Sequence, residues 1–359
     1  MKTITLYDVA RVAGVSYQTV SRVINQAAHV SPRTREKVQA AMQELHYVPN
    51  RGAQQLAGKA TRALGLLTTD LALHAPSQIA SAVKRRAGEV GFSVLISMVE
   101  SHDREACFNA LQELQAQRVE GLLVNVPLER EDAQALAAAS PVPILFLDVG
   151  RDAEVNSLVF DAEQGARLGV EHLLALGHRQ IALLAGPQSS VSARARLAGW
   201  QHALQQAAVQ PVSVAYGDWS AASGYEKAHL LLSEKPYPDA LLVANDQMAL
   251  GALHACAEKG IRVPGQLSVV GYDDTTDSAW FTPPLTTIRQ RFKEAGRMSV
   301  DWLIAQEGSV PAQSQTCLEV ELIARSSSAE RQPESLQDDD LAHCLQELAT
   351  RIARRSREL

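Results

Sequence analysis

From residue 60 onward one pattern repeats: short apolar runs alternate with longer stretches in which apolar residues recur at helical spacing. Apolar runs stand at 63–68, 92–97, 119–125 and 143–148, with helical patterns at 78–90 and 104–117 between them. A second series follows residues 156–160: helical 165–176, apolar 180–185, helical 191–208, apolar 239–244, helical 247–259 and apolar 267–272. Strands alternating with helices of crossover length predict parallel, doubly wound sheets. Two series of similar length predict two α/β subdomains with a cleft between them. In such sheets ligands bind beyond the carboxyl ends of the strands.

The first residues read differently. Leu6, Val9, Ala10 and Ala13 fall on one face of a short helix that Thr5 can cap, with Asp8 completing a capping-box variant. Gly14 permits a sharp turn. Ser16 can cap a second helix, with Val20, Val23 and Ile24 inward and Tyr17, Gln18, Ser21 and Arg22 on the opposite face. Ser31-Pro32 starts a third helix with Val38, Ala41, Met42 and Leu45 as its buried stripe. Two short helices joined by a tight turn make a helix-turn-helix, whose second helix enters a major groove. A helical hairpin whose polar face meets only water shares the pattern, but the side chains favour the groove. Gln pairs bidentately with adenine and Arg with guanine, while Ser and Tyr suit phosphates or base edges.

Charge points the same way. Residues 1–59 hold eight Lys/Arg against three Asp/Glu, +5, so of the net −6 the other 300 residues carry −11. A basic head on an acidic body suits nucleic-acid binding through one end. The apolar content of 46% and charged content of 21% fit a globular protein. No apolar run reaches the ~18 residues of a membrane span, and the N-terminus opens into helix signals without a signal-peptide pattern. Cytoplasm is therefore expected, with nucleoid association when the protein is bound to DNA. Cys107, Cys256, Cys317 and Cys344 are scattered and read as reduced, mostly buried thiols with no metal spacing.

Four positions carry polar residues directly after apolar strands: Asn125, Asp148, Asn245-Asp246-Gln247 and Tyr272-Asp273. Each either caps the helix that follows or faces a ligand. No nucleophile–base pair, GxSxG, HExxH or phosphate loop occurs, and the stretch from Asp273 to Asp277 lacks EF-hand spacing. Neither catalysis, a cofactor nor a metal is expected. Carboxylates, amides and Arg196 suit a ligand's hydroxyls, while Phe160, Trp219 and Phe292 are either core or faces for a sugar to stack on.

The stretch TLYDVARVAGVSYQTVSRVIN (5–25) resembles the headpiece of the lac repressor/gal repressor family of helix-turn-helix regulators. Further stretches similar to that family are LALHAPSQI (71–79), SSVSARARLAGW (189–200), GDWSA (217–221), NDQMALGA (245–252) and VVGYDDT (269–275), so the resemblance spans nearly the whole chain. It implies a small all-α headpiece, a periplasmic-binding-protein-like α/β core of two subdomains, and a C-terminal oligomerisation helix. The implied boundaries are a headpiece at 1–46 and a hinge helix at 47–59. The first subdomain is 60–160 with 291–319, and the second 161–290 with 320–327. A linker at 328–338 and a tetramerisation helix at 339–359 follow.

For DNA, the resemblance implies that Tyr17, Gln18 and Arg22 read bases, while Thr5, Ser16, Thr19, Ser21, Asn25, Ser31 and Thr34 mainly position the backbone. Leu6, Tyr7, His29, Tyr47, Asn50, Ala53, Gln54, Ala57 and Lys59 join this interface, and Leu56 wedges into the minor groove. By composition alone, residues 50–58 read as a flexible linker. Gly52 stands where the family's type member has valine, at a helix cost of about 0.5–1 kcal/mol relative to alanine.

For the ligand, the resemblance implies hydrogen-bonding or supporting roles for Asn245, Asp273, Arg196, Asp148 and Asn125, and hydroxyls from Ser190 and Ser192. Leu73, Ala75, Ile79, Phe160, Trp219 and Phe292 become apolar walls, and Gln290 joins the set. Asp246 and Gln247 start the helix behind the site. Ser101 and Ala295 replace an arginine and a pocket-side leucine. In the tail, Leu341, Leu345, Leu348 and Ile352 follow 4-3-4 spacing, either as a solvated amphipathic helix or, as the resemblance implies, in a bundle joining two dimers; Arg355 stands where the type member has leucine.

The expected function is thus repression of a lactose-utilisation operon, with operator DNA, a β-galactoside inducer such as allolactose, and further copies of the chain as partners. A repressor of another sugar operon, or a sugar-binding protein without DNA function, are the alternatives.

Overall fold

A computed structural model describes residues 4–24, 29–48, 60–100, 103–233, 235–306 and 314–331. Asn25, Asn50, Gly52, Ala53, Gln54, Leu56, Ala57, Lys59, Ser101, Cys344 and the whole tail pattern from Leu341 to Arg355 lie outside the described residues. The chain divides into a small unit, Met1–Thr61, and a large one, Arg62–Leu359.

The small unit holds three helices: α1 (Leu6–Ala13), α2 (Tyr17–Ile24) and α3 (Pro32–Glu44). Each begins at a hydroxyl. Asp8 N–H donates to Thr5 Oγ1, while Thr5 N–H donates to the Asp8 carboxylate at 3.0 Å. Thr19 N–H donates to Ser16 Oγ at 3.2 Å and Thr34 N–H to Ser31 Oγ at 3.3 Å. These bonds satisfy amides that a helix start otherwise leaves without partners, each worth about 1 kcal/mol. Gly14 ends α1 at φ 65°, the left-handed conformation that lets α2 turn away within three residues. Val9, Ala10, Ala13, Val20, Val23, Val38 and Ala41 are buried together.

The large unit contains two six-stranded sheets. The first runs in the order β11-β5-β4-β3-β1-β2, from β1 (Ala63–Thr68), β2 (Ser93–Met98), β3 (Gly121–Asn125), β4 (Ile144–Phe146), β5 (Ser157–Phe160) and β11 (Gln315–Leu318). The second runs β12-β10-β9-β8-β6-β7, from β6 (Ile181–Ala185), β7 (Ser213–Tyr216), β8 (Ala240–Val243), β9 (Ser268–Asp273), β10 (Thr286–Arg289) and β12 (Glu321–Ile323). All neighbouring strands are parallel except β10 and β12. Every residue of β1, β3, β6 and β8 is buried, because helices cover both faces.

On the first sheet, α4 (His74–Glu89) and α11 (Phe292–Ala305) pack on one face, with α5 (Arg104–Ala116) and α6 (Arg130–Ala139) on the other. The second sheet packs with α7 (Ala162–Ala175), α8 (Val191–Gln206), α9 (Ala221–Leu231) and α10 (Asp246–Glu258) around a core that includes fully buried Trp200. The chain passes between sheets three times: after β5, between β10 and α11, and between β11 and β12.

One expectation needs correction. The polar run at 328–331 is docked and is not the start of a free linker. Ser328 bonds to His172 at 2.8 Å, His178 Nε2 to Ala329 O at 3.1 Å, and Arg331 pairs with Asp239 at 3.0 Å. Polar composition suggested solvent, but here the second subdomain supplies partners for Ser328, the Ala329 backbone and Arg331. Of the described cysteines Cys107 and Cys256 are buried, in line with mostly buried thiols, while Cys317 is exposed on the half-open edge strand β11.

Candidate functional site

In the small unit, Tyr17, Gln18 and Arg22 stand exposed on α2, opposite buried Val20 and Val23. Tyr7 is 67% exposed and lies beside Tyr17, with ring centroids 5.2 Å apart. Two large aromatics left outside a core mark a contact surface. The hydroxyls of Thr5, Ser16, Thr19, Ser31 and Thr34 are all engaged in the helix caps. Engaged in this way they orient the helix starts, whose amides and dipoles suit an anion such as phosphate. His29 is exposed, Leu6 and Tyr47 pack half-buried against the small core, and Ser21 is half-buried.

The large unit has its cleft where the strands of both sheets end. Asn125 closes β3, Asp148 follows β4, Phe160 closes β5, Asn245 follows β8 and Asp273 closes β9. The sequence left open which of the polar four are caps. Asn245 caps α10, accepting from Met248 N–H at 2.8 Å while its amide donates to Trp219 O at 3.0 Å. The others cap nothing: Asn125 donates to Thr68 Oγ1 at 3.4 Å, Asp148 bonds to Ser192, and Asp273 accepts from Gln290 at 2.7 Å.

The cleft holds two adjoining cavities. One, of about 540 Å³, is lined by Leu73, Ser190, Trp219, Asn245, Gln247 and Asp273. The other, of about 480 Å³, is lined by Ile79, Phe160, Gln290 and Phe292. Ala75, Asn125, Asp148, Ser192 and Arg196 line both. The residues read from sequence as one site are therefore split between two chambers. Sequence reasoning missed Asp70, His74, Met98, Glu100 and Asp218 in the first chamber, and Arg151, Asp161, Glu163 and His202 in the second. Asp161 directly follows the apolar strand β5 and carries the strand-end signal; the other polar ones do not stand directly after a strand. Ala295 lines neither chamber, so its reading as a pocket-side position is corrected: it is 1% exposed, inside the core between α4 and α11.

Arg196 is the centre of the arrangement. Its guanidinium donates to Ala244 O, lies 3.6 Å from the Asp273 carboxylate, and stacks 3.9 Å above the Tyr272 ring. Burial pushes Asp273 up to about 6, against the pull of Arg196. The same balance sets Asp148 at about 6, with Ser192 also stabilising its anion. Asp246, at the start of α10, is pushed up to about 7 by burial and by the neighbouring Asp273 charge. Asp218 moves the other way, held below the usual carboxylate range by the hydroxyls of Ser220 and Ser223. Carboxylates poised near neutrality and one fixed cation favour a neutral ligand with many hydroxyls over an ion.

The backbone around these groups is strained. Trp219, Asp273 and Asp274 have φ of 78°, 118° and 56°. Non-glycine residues adopt such values when their surroundings over-determine them. Asp274 is held by Arg289 and Arg325, each at 2.5 Å, and Thr275 N–H donates to Asp246 at 2.9 Å. Contacts that join the two walls of the cleft include His74 N–H to Gln247 at 3.2 Å, Arg194 with Glu129, Arg151 with Asp161 at 2.8 Å, and Asp148 with Ser192.

A helix-turn-helix unit and a two-lobed, hydroxyl-lined cleft on one chain define a ligand-responsive DNA-binding regulator, and comparison with known proteins agrees. Residues 5–50 match the bacterial regulatory proteins of the lacI family, and residues 170–328 match a periplasmic binding protein-like domain. The chain is 54% identical to the lactose operon repressor of Escherichia coli (strain K12), over 99% of both chains. It is 46% identical to that of Klebsiella pneumoniae, over 91% of this chain and 93% of that one. A crystal structure of the lac repressor dimer bound to operator and the anti-inducer ONPF superposes with a TM-score of 0.86 at 56% identity, covering 91% of this chain and all of the other. A lac repressor structure bound to ONPG in the repressed state gives the same figures. The chain belongs to the lacI family of bacterial regulatory proteins. It is a DNA-binding regulator and not an enzyme. Among the described residues no helix is long and apolar enough to cross a membrane.

Proposed function

We propose that the chain represses a lactose-utilisation operon and that a β-galactoside releases it from DNA. The observation that carries this reading is the match to lactose operon repressors along 99% of the chain, with operator-bound and ONPG-bound structures among the relatives. A dimer binds a pseudo-palindromic operator, one headpiece to each half-site. Tyr17, Gln18 and Arg22 read base edges; the helix starts at Thr5, Ser16 and Ser31 hold the phosphate backbone. Residues 47–59 act as a hinge helix with Leu56 in the minor groove, and residues 339–359 join dimers into tetramers. The protein works in the cytoplasm, on the nucleoid when operator-bound.

The galactoside occupies the cleft. Arg196, Asp273, Asn245 and Asp148 hold its hydroxyls, Trp219 stacks on its apolar face, and Ser190 and Ser192 add hydroxyls. The contacts that join the cleft walls, with Gln247 and Asp148 among them, sense occupancy. Effector binding changes the angle between subdomains only because it binds one angle more tightly than the other.

Binding to a labelled symmetric lac operator at fixed salt, with and without isopropyl thiogalactoside, tests the reading. Tight binding released by the galactoside is expected. Tight binding without release moves the assignment to another sugar, and tightening makes the effector a corepressor. Binding no tighter than to random DNA overturns it.

A further inference from the structure

The cleft occupies the carboxyl ends of the second sheet's strands, and a separate buried polar cluster occupies their amino ends. His178 precedes β6, Asp239 precedes β8, and Ser268 and Thr286 open β9 and β10. Residues 327–331 strap across them. Ser327 O accepts from Val269 N–H and Ser327 Oγ from Thr286 N–H, each at 2.8 Å. Ser328 Oγ meets Thr286 Oγ1 and His172 Nε2, each at 2.8 Å. Ala329 N–H donates to Ser268 Oγ at 3.1 Å, and Arg331 N–H to Leu176 O at 2.8 Å. The strap, Ser-Ser-Ala-Glu-Arg, has no large apolar side chain to bury, so polar contacts hold it.

His178 sits where these contacts converge, and it is 3% exposed. Its Nε2 lies 3.1 Å from Ala329 O. Its Nδ1 makes no hydrogen bond and lies 3.3 Å from the Asp239 carboxylate. Both ring nitrogens thus face acceptors. A neutral imidazole has one N–H and one lone pair, so either tautomer turns a lone pair on an acceptor. The imidazolium has an N–H for each. The other charged and titratable groups around the ring are Arg331, which pairs with Asp239 at 3.0 Å, Arg179, which donates to the His178 carbonyl at 2.8 Å, and His172 on α7. Burial, and then His178, lowers His172, which favours its neutral ring. Against its burial, Asp239 is held below the usual carboxylate range by His178, the Arg179 amide and Arg331, so it stays an anion. We propose that residues 327–331 form a proton-operated clasp: charged His178 holds the strap closed between Asp239 and Ala329, and loss of its proton loosens it. Rising pH therefore opens the clasp. Where the tail at 339–359 joins dimers, opening adds five residues to its tether, up to roughly 17 Å of extended chain. That consequence rests on the tetramer reading; the clasp itself does not.

Hydrogen exchange of the full-length protein, read by mass spectrometry on peptides covering the strap, tests this. The series runs from about pH 5 to about pH 8, the span over which an imidazole changes charge. Each rate is divided by the intrinsic rate at that pH and compared with β6, which reports general unfolding. In wild type, protection of the Ala329 and Arg331 amides relative to β6 is expected to fall by ~10-fold or more across the series. His178→Gln keeps an amide for Ala329 O but gains no charge, and a flat profile is expected. Asp239→Asn removes the anion opposite Nδ1 and is expected to be flat as well; it carries the test should circular dichroism show His178→Gln unfolded. His172→Gln is expected to keep the wild-type slope. A flat wild-type profile overturns the proposal, as does a slope kept in folded His178→Gln. A slope lost in His172→Gln but kept in Asp239→Asn also overturns it, because His172 is then the titrating group.

Discussion

At the scale of single residues, position on an element decides what a side chain can do. Gln18 is exposed on the first turn of α2, and its amide suits adenine. Gln18→Ala is expected to weaken operator binding by about 1–3 kcal/mol while leaving binding to random DNA unchanged. No charge is removed, so the salt slope stays as it was; a loss equal on both DNAs in a filter or fluorescence assay counts against base reading. Asp246 acts through burial. Its carboxyl accepts from Thr287 Oγ1 at 2.6 Å and is pushed up to about 7. An acid whose folded value is raised binds its proton more tightly folded than unfolded. Its stabilisation is complete below the ordinary carboxyl range and is lost as pH rises towards the folded value. Thermal midpoints are therefore expected to fall between about pH 4 and pH 7, and Asp246→Asn to flatten that slope. A slope unchanged by the substitution would place the titration on Asp148 or Asp273 instead.

At the scale of elements, close backbone approach fixes α9 against α10. A Cβ on Gly251 would stand 1.9 Å from Ala221 O and 2.5 Å from Tyr225 N. Backbone cannot yield as a side-chain tip does, so Gly251→Ala is expected to destabilise the large unit by about 1–3 kcal/mol or more. Denaturant midpoints check this, and an unchanged midpoint would mean the helices separate freely. The proposed hinge gives an opposite expectation for glycine. Replacing Gly52 by alanine favours helix by about 0.5–1 kcal/mol in each of two hinges. Operator affinity at fixed salt should rise, and an unchanged affinity argues against a helical hinge there.

Elements were also where sequence was most and least legible. Cap residues Thr5, Ser16 and Ser31, the turn at Gly14 and the fully apolar strands announce themselves because their chemistry is local. Strand β7 and helix α9 are faint: β7 is a half-exposed edge strand and α9 has no strong apolar stripe. The four strand-end polar groups were visible, but their roles were not. Whether Asn245 caps or Asp148 bridges depends on what stands opposite, across two separately folded sheets. The division of the cleft into chambers arises from Asp148, Ser192 and Arg196 meeting there, a contact between residues about fifty positions apart.

At the scale of the whole molecule, a basic head of +5 and a body of −11 divide the labour between DNA and ligand. The cleft walls touch through a few polar contacts, beside the packing of Phe160 on Tyr272, Ile288 and Val320. Such contacts cost little to exchange, so a ligand with modest preference for one arrangement can shift the balance. If the galactoside acts this way, coupling must be reciprocal: whatever factor the galactoside takes from operator affinity, operator takes from galactoside affinity. The most direct measurement is the Kd of isopropyl thiogalactoside, once with saturating operator and once with random DNA at the same salt. Galactoside binding weaker on operator by about 5–150-fold, and by the same factor as operator release, is the predicted result. Equal affinities on both DNAs would contradict a repressor controlled through its cleft.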